Sequence, residues 1–161
     1  MIRPARPEDA GQIAAFWNPL IRDTAVTFYP LERSVEEIAA SVAEKARAGH
    51  GFFVAETLGR VVGFANYGQF RNGPGYARTM EHTIIIDPQA HGRGVGRGLI
   101  GAVEDHARAR GARMMIAGIS GENLDGIGFH ARVGYVEIAR LEGVGWKFGR
   151  AMDLVLMRKT L

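Results

Sequence analysis

The chain has 161 residues, long enough for one domain (1–161) with a sizeable core. Hydrophobic residues make up 47% and charged residues 23%, as in ordinary globular proteins, and a net charge of +3 is too small an excess to argue for nucleic acid. There is no cysteine, which excludes disulfides, thiolate metal sites and a cysteine nucleophile, and no apolar run reaches transmembrane length.

Residues 2–5 read as a short first strand, at a sheet edge because Pro4 cannot donate to a ladder. Pro7, Glu8 and Asp9 start a helix with proline and acids in its first turn. Ile13, Phe16, Trp17, Leu20 and Ile21 then repeat at helical spacing, with a break or irregularity expected near Pro19. Residues 23–32 are poor helix formers and read as a loop. Its aromatic pair, Phe28 and Tyr29, serves either the core or the wall of a pocket, and core packing is the simpler reading of the residues alone. Ser34 and Glu37 form a capping box for a second helix, whose apolar face is Val35, Ile38, Ala39, Val42 and Ala46. Gly49 closes it.

Residues 51–57 and 60–67 are two strands of a hairpin turning at Leu58-Gly59. A loop rich in glycine and arginine follows, residues 68–77. Thr83, Ile84, Ile85 and Ile86 are all β-branched and predict a buried strand, which Asp87-Pro88 ends. Past the glycines that follow, Val95, Leu99, Val103 and Ala107 mark a helix that runs to Arg110 and stops at Gly111. Residues 114–120 are another buried strand. A short helix carries Ile127 and Phe129, and Gly134 ends it. Residues 135–141 and 151–159 are the last strands, with a loop at 142–150. Hairpins first, then strands alternating with helices, predict a mixed α/β or α+β sheet, covered by helices on both faces.

The stretch 79–98, T-M-E-H-T-I-I-I-D-P-Q-A-H-G-R-G-V-G-R-G, is the most informative. Glycines before a helix let backbone approach a ligand, and the helix N-terminus favours an anion such as pyrophosphate. Arg93 and Arg97 add charge-assisted donors. A tight turn with no ligand explains the glycines equally well. No G-K-S or G-K-T follows, which argues against a P-loop ATPase, and a Rossmann fingerprint belongs near a first strand rather than mid-chain.

Q-A-H-G-R-G-V-G resembles the acetyl-CoA signature of the GNAT superfamily of N-acetyltransferases. T-M-E-H-T, and K-F-G-R at residues 147–150, resemble the branch that acetylates phosphinothricin and methionine sulfone or sulfoximine. The resemblance covers nearly the whole chain. It implies a mostly antiparallel sheet of six to seven strands and acetyl-CoA as donor. It further implies a small primary amine as acceptor and a homodimer formed in part by the K-F-G-R segment, while the absence of cysteine agrees with a cytoplasmic protein. No metal, nucleic acid or membrane is implied.

Site residues follow from the same resemblance. Gln89, Gly92, Arg93, Gly94, Val95, Gly96 and Arg97 fall on the pyrophosphate signature. Ile84, Ile85 and Ile86 fall on a strand that splays from its neighbour to pair with the pantetheine arm and give an oxyanion donor. Asn123 falls on a second cofactor motif. Glu81, from its residues an ordinary paired glutamate at a strand start, becomes the general base. His130 stands where many members place a tyrosine acid; an imidazolium there would support the leaving thiolate, and a structural histidine is the even alternative. Phe28, Arg71, Gly75, Tyr76 and Arg78 fall where the acceptor is expected, with Arg71 and Arg78 as candidate partners of a carboxylate. The chain departs from the branch at Phe70, Asn72, Phe28 and Ala151, so the acceptor is expected to differ. Two rivals remain: an acetyltransferase for another amine (protein N-terminus, polyamine, aminoglycoside), and an acyl-CoA-binding module without catalysis.

Overall fold

The computed structural model describes residues 1–161. Seven strands form one sheet: β1 (Ile2–Pro4), β2 (Phe52–Thr57), β3 (Arg60–Gln69), β4 (Thr79–Ile86), β5 (Met114–Ser120), β6 (Val136–Lys147) and β7 (Arg150–Thr160). Their order is β1-β2-β3-β4-β5-β7-β6, and only β4 and β5 run parallel. Four helices flank it: α1 (Ala10–Asp23), α2 (Val35–Arg47), α3 (Val95–Ala109) and α4 (Leu124–Arg132). The mixed, mostly antiparallel sheet with helices on both faces is the one expected.

Alternation along the strands divides the core in two. Ile13, Phe16, Ile38 and Val42 of α1 and α2 pack on Phe52, Val54, Val61 and Phe64. Leu99, Val103 and Ala107 of α3 pack on the opposite face, with Met80, Met115, Ala117, Val155 and Met157. On β4, Met80, Ile84 and Ile86 therefore face α3, and Ile85 faces α1.

Local signals act as anticipated at several points. Pro4 lies on the edge strand. The Ser34 hydroxyl accepts from the Glu37 N–H, and the Glu37 carboxylate accepts from the Ser34 N–H. Two expectations need correction. α1 runs unbroken through Pro19. A proline costs a helix the bond to the carbonyl four residues back, and here that carbonyl belongs to Ala15, which is exposed and can turn to water. The loop expected at 142–150 is mostly strand. β6 continues to Lys147 by absorbing the extra residues of L-E-G-V-G in a register shift between Leu141 and Gly145, and the turn is only Phe148-Gly149.

Candidate active site

The central geometry comes from β4. Its register with β3 is regular from Met80 to Ile86. The Asp87 N–H donates to the Val62 carbonyl, and the Phe70 N–H to the Thr79 carbonyl, each at 3.0 Å. In an antiparallel ladder such bonds fall on alternate residues. Odd-numbered residues of β4 therefore turn their backbone groups to β3, and even-numbered ones turn away. Met80 and His82 turn towards β5, which pairs with β4 only from Thr79–Met114 to His82–Ala117. Beyond that point the strands part. Ile84 and Ile86 are left with backbone groups aimed into the gap, while Ile85 is committed to Phe64.

A cavity of about 360 Å³ occupies this parting. Its lining draws on both faces of the sheet. From the α3 and α4 side come His82, Ile84, Ala117, Ile119, Asn123 and His130; from the α1 and α2 side come Trp17, Ser41, Lys45, Thr83, Ile85 and Gly118. The cleft thus passes through the sheet. Residues Val26 to Tyr29 form a wall, together with Arg33.

The glycine turn lies on the α3 side. Gly92 and Gly94 have φ of +76° and +77°, with open space where side chains would stand. That conformation favours glycine. Gly94 caps α3 with no side-chain bond, so the first N–H groups of the helix have no capping partner. Arg93 and Arg97 are exposed beside it. Free N–H groups, a helix N-terminus and two guanidinium groups fit the pyrophosphate of acetyl-CoA. Gly96 differs: a Cβ there would fall 2.9 Å from Ile86 and 3.0 Å from Phe129, so its glycine serves packing. Val95 is half-buried against the core. Gln89 borders a different cavity, between α1, the start of β3 and the turn after β4.

Glu81 is on the α1 and α2 side. Its Oε2 lies 3.5 Å from where a Gly118 side chain would begin, so the missing side chain makes room for the carboxylate. Glu81 is exposed and does not itself line the cavity, although its neighbours Lys45 and Gly118 do; enough protein surrounds its carboxyl for burial to raise its pKa, against the lowering influence of Lys45.

His130 donates from Nδ1 to the Gly126 carbonyl at 2.7 Å, because a carbonyl can only accept. In the neutral ring Nε2 is then an acceptor, and it takes the Nε2–H of His82 at 3.0 Å. His82 Nδ1 is left buried and unpartnered. Burial lowers the pKa of both rings, that of His82 to about 3. At neutral pH His130 therefore has both nitrogens engaged and no spare proton for a leaving thiolate. Asn123 caps α4 through Oδ1, accepting from the Gly126 N–H at 2.9 Å, and its side chain borders the cleft.

Of the residues expected at the acceptor, Phe28 lines the cavity; Arg71, Gly75, Tyr76 and Arg78 are exposed on the 70–78 loop and do not. Sequence reasoning passed over Trp17, Arg33, Ser41, Lys45 and Gly118. One signal was available: Lys45 follows Ile38 and Val42 on the apolar stripe of α2, where a lysine breaks the pattern. Lys147 was also missed. It is buried on β6, and its Nζ donates to the carbonyls of Thr24 and Thr27 at 2.8 Å each, tying down the loop that forms the wall. Gly145 completes the seat, since a Cβ there would fall 2.6 Å from the Phe28 ring.

Comparison with known proteins agrees with this geometry. Residues 17–135 match the Acetyltransferase (GNAT) family. An L-amino acid N-acyltransferase of Escherichia coli is 34% identical, covering 99% of this chain and 93% of its own. A solved structure titled as a ribosomal-protein-alanine N-acetyltransferase from Brucella melitensis superposes with a TM-score of 0.95 at 34% identity, over 100% of this chain and 99% of that one. A phosphinothricin acetyltransferase from Sinorhizobium meliloti, solved with acetyl-CoA, gives 0.93 at 28% identity, over 100% and 88%. By sequence and by fold, the chain belongs to the GNAT family of acetyltransferases.

Proposed function

We propose that the chain transfers the acetyl group of acetyl-CoA directly to the α-amine of a small amino acid or analogue, inside the cleft that crosses the sheet. One observation carries this: beyond His82–Ala117, β4 and β5 part around a cavity that reaches both faces of the sheet, with Ile84 on the face of the glycine turn and Lys45 and Gly118, the neighbours of Glu81, on the other. The lining on the acceptor side includes two cations, Arg33 and Lys45, which suits an amine that also bears an anionic group. The E. coli and S. meliloti relatives, named for an L-amino acid and for phosphinothricin, support the same acceptor class.

When bound, acetyl-CoA supplies an activated acetyl thioester. The N–H groups of the 92–96 turn, with Arg93 and Arg97, hold its pyrophosphate. The backbone of Ile84 and Ile86 provides free groups along the gap, and an N–H there stabilises the oxygen that gains charge. Glu81 takes the proton from the substrate ammonium. Its raised pKa makes it a stronger base than a surface carboxylate, and Gly118 leaves it space. With no cysteine to carry the acetyl group, the amine would attack the thioester carbonyl directly, the carbon–sulfur bond would break, and CoA would leave as its thiolate, which draws its proton from solvent rather than from His130. We place the protein in the cytoplasm, where acetyl-CoA is available, and as a homodimer, because the edge strand β6 exposes Val136, Ile138, Leu141, Val144 and Trp146.

A second acceptor has a specific observation in its favour, the alanine N-terminus of a ribosomal protein named in the Brucella structure's title. Thiol release from acetyl-CoA against free α-amino acids, their amides, a polyamine and an alanine-ended peptide separates the two. Free amino acids are expected to be the best acceptors. Turnover with the peptide alone contradicts the proposal.

A further inference from the structure

Glu81 and Gly68 stand directly opposite each other on β4 and β3. A glycine across from a charged residue leaves a vacancy in the cross-strand pair. Lys45 fills it from α2: its Nζ lies 2.8 Å from where a Gly68 side chain would begin and donates to the Tyr67 carbonyl at 2.9 Å. The ammonium therefore sits where the cross-strand neighbour of Glu81 would be, on the wall of the cleft. It forms no ion pair with Glu81, and Tyr67 is its single protein acceptor, so two of its three N–H groups remain for a ligand. The two groups do sense each other's charge.

A fixed anion and a fixed cation side by side, without a bridge between them, are complementary to a zwitterion. We propose that Lys45 is the specificity-determining residue for α-amino acids. Its ammonium receives the substrate carboxylate while Glu81 faces the substrate ammonium. This rests on the acceptor class proposed above and adds to it the residue and the orientation. An α-amino acid holds its two charges on one carbon, so both are met within a single cross-strand pair. The arginines expected from sequence, Arg71 and Arg78, lie on the exposed loop away from this wall. Arg33 is the other cation on the wall, but its guanidinium is stacked over Trp17 and Tyr29 and lies 3.8 Å from Glu37.

The test compares L-methionine with L-methioninol, which keeps the amine and side chain but replaces the carboxylate with a hydroxymethyl group. In Lys45→Met the ratio of kcat/KM for methionine to that for methioninol should fall at least about tenfold, through KM for methionine, as expected for a lost charge-assisted bond. Lys45→Arg should restore part of that ratio. Calorimetric binding of L-methionine to Lys45→Met should weaken in step, with the thermal midpoint of each variant as the check on folding. An equal loss for both substrates overturns the proposal and makes Lys45 a support of the fold or of Glu81. An unchanged ratio in Lys45→Met, with a drop instead in an Arg71→Ala, Arg78→Ala double variant, assigns the carboxylate to the loop and also overturns it. Wild-type protein that acetylates neither compound contradicts the acceptor class itself, a failure distinct from that of Lys45.

Discussion

At the scale of residues, the site depends on side chains and on absences of side chains. The role proposed for Glu81 rests on the space that Gly118 leaves for its carboxylate and on the burial that raises its pKa. A base must be deprotonated to act, and its proton affinity here is held above that of an ordinary glutamate. The activity should therefore fall as pH drops through a value above the usual carboxylate range, and that acid limb should belong to Glu81. Glu81→Gln is expected to lower kcat by roughly 10²- to 10⁴-fold, the usual contribution of a general base, and to remove the limb. A pH–rate profile of the variant checks both, and an acid limb that persists unchanged assigns it to another group. The glycines at 92 and 94 and the arginines beside them were legible in sequence as a turn before a helix, whereas Glu81 read from its residues as an ordinary paired glutamate and was singled out by resemblance alone. Lys45 left one trace, a lysine on the apolar stripe of α2, but Gly118 and Lys147 left none, because nothing in linear spacing tells which positions of β5 and β6 meet around Glu81 and the 24–29 loop. The state of His130 was hidden for the same reason, since its partner His82 is 48 positions away.

At the scale of elements, the informative feature is how far β4 outruns its pairing with β5. Composition announced a buried strand, but strand residues look alike whether or not the neighbour is present, so the parting had to be expected from resemblance alone. The β6–β7 hairpin shows a second limit. Residues 142–150 read as a loop, whereas they are mostly strand: Gly143 takes a φ of +66° within a bulge and Gly145 admits the Phe28 ring. Lys147 on that hairpin holds a wall of the cleft through two carbonyls of the 24–29 loop. Replacing it with methionine leaves both carbonyls without their buried donor. Lys147→Met is expected to raise KM for the amine several-fold or more while affinity for acetyl-CoA, held from the other face, changes little. Calorimetry for the cofactor beside steady-state KM for the amine reads the difference; an equal loss of both would show that the hairpin supports the whole fold rather than the wall.

At the scale of the molecule, a sheet with helices on both faces offers two compartments, and the gap between β4 and β5 is the passage between them. Overall class followed from the order of hairpins and alternating units, which is a property of the entire chain and survives errors at single boundaries. Assembly belongs to this scale too. β6 is an edge strand of 12 residues whose exposed side chains include Val136, Ile138, Val144 and Trp146, a surface that monomers rarely leave to water. Light scattering at assay concentration should give twice the chain mass, and Trp146→Lys with Val144→Lys should shift it towards the monomer; a wild-type monomer contradicts the dimer. The central claim, that donor and acceptor meet in one cleft from opposite faces, is tested most directly by initial rates measured over a grid of acetyl-CoA and amine concentrations. Direct transfer within a ternary complex predicts double-reciprocal lines that intersect. Parallel lines, the mark of an acetylated enzyme formed before the amine binds, would contradict it.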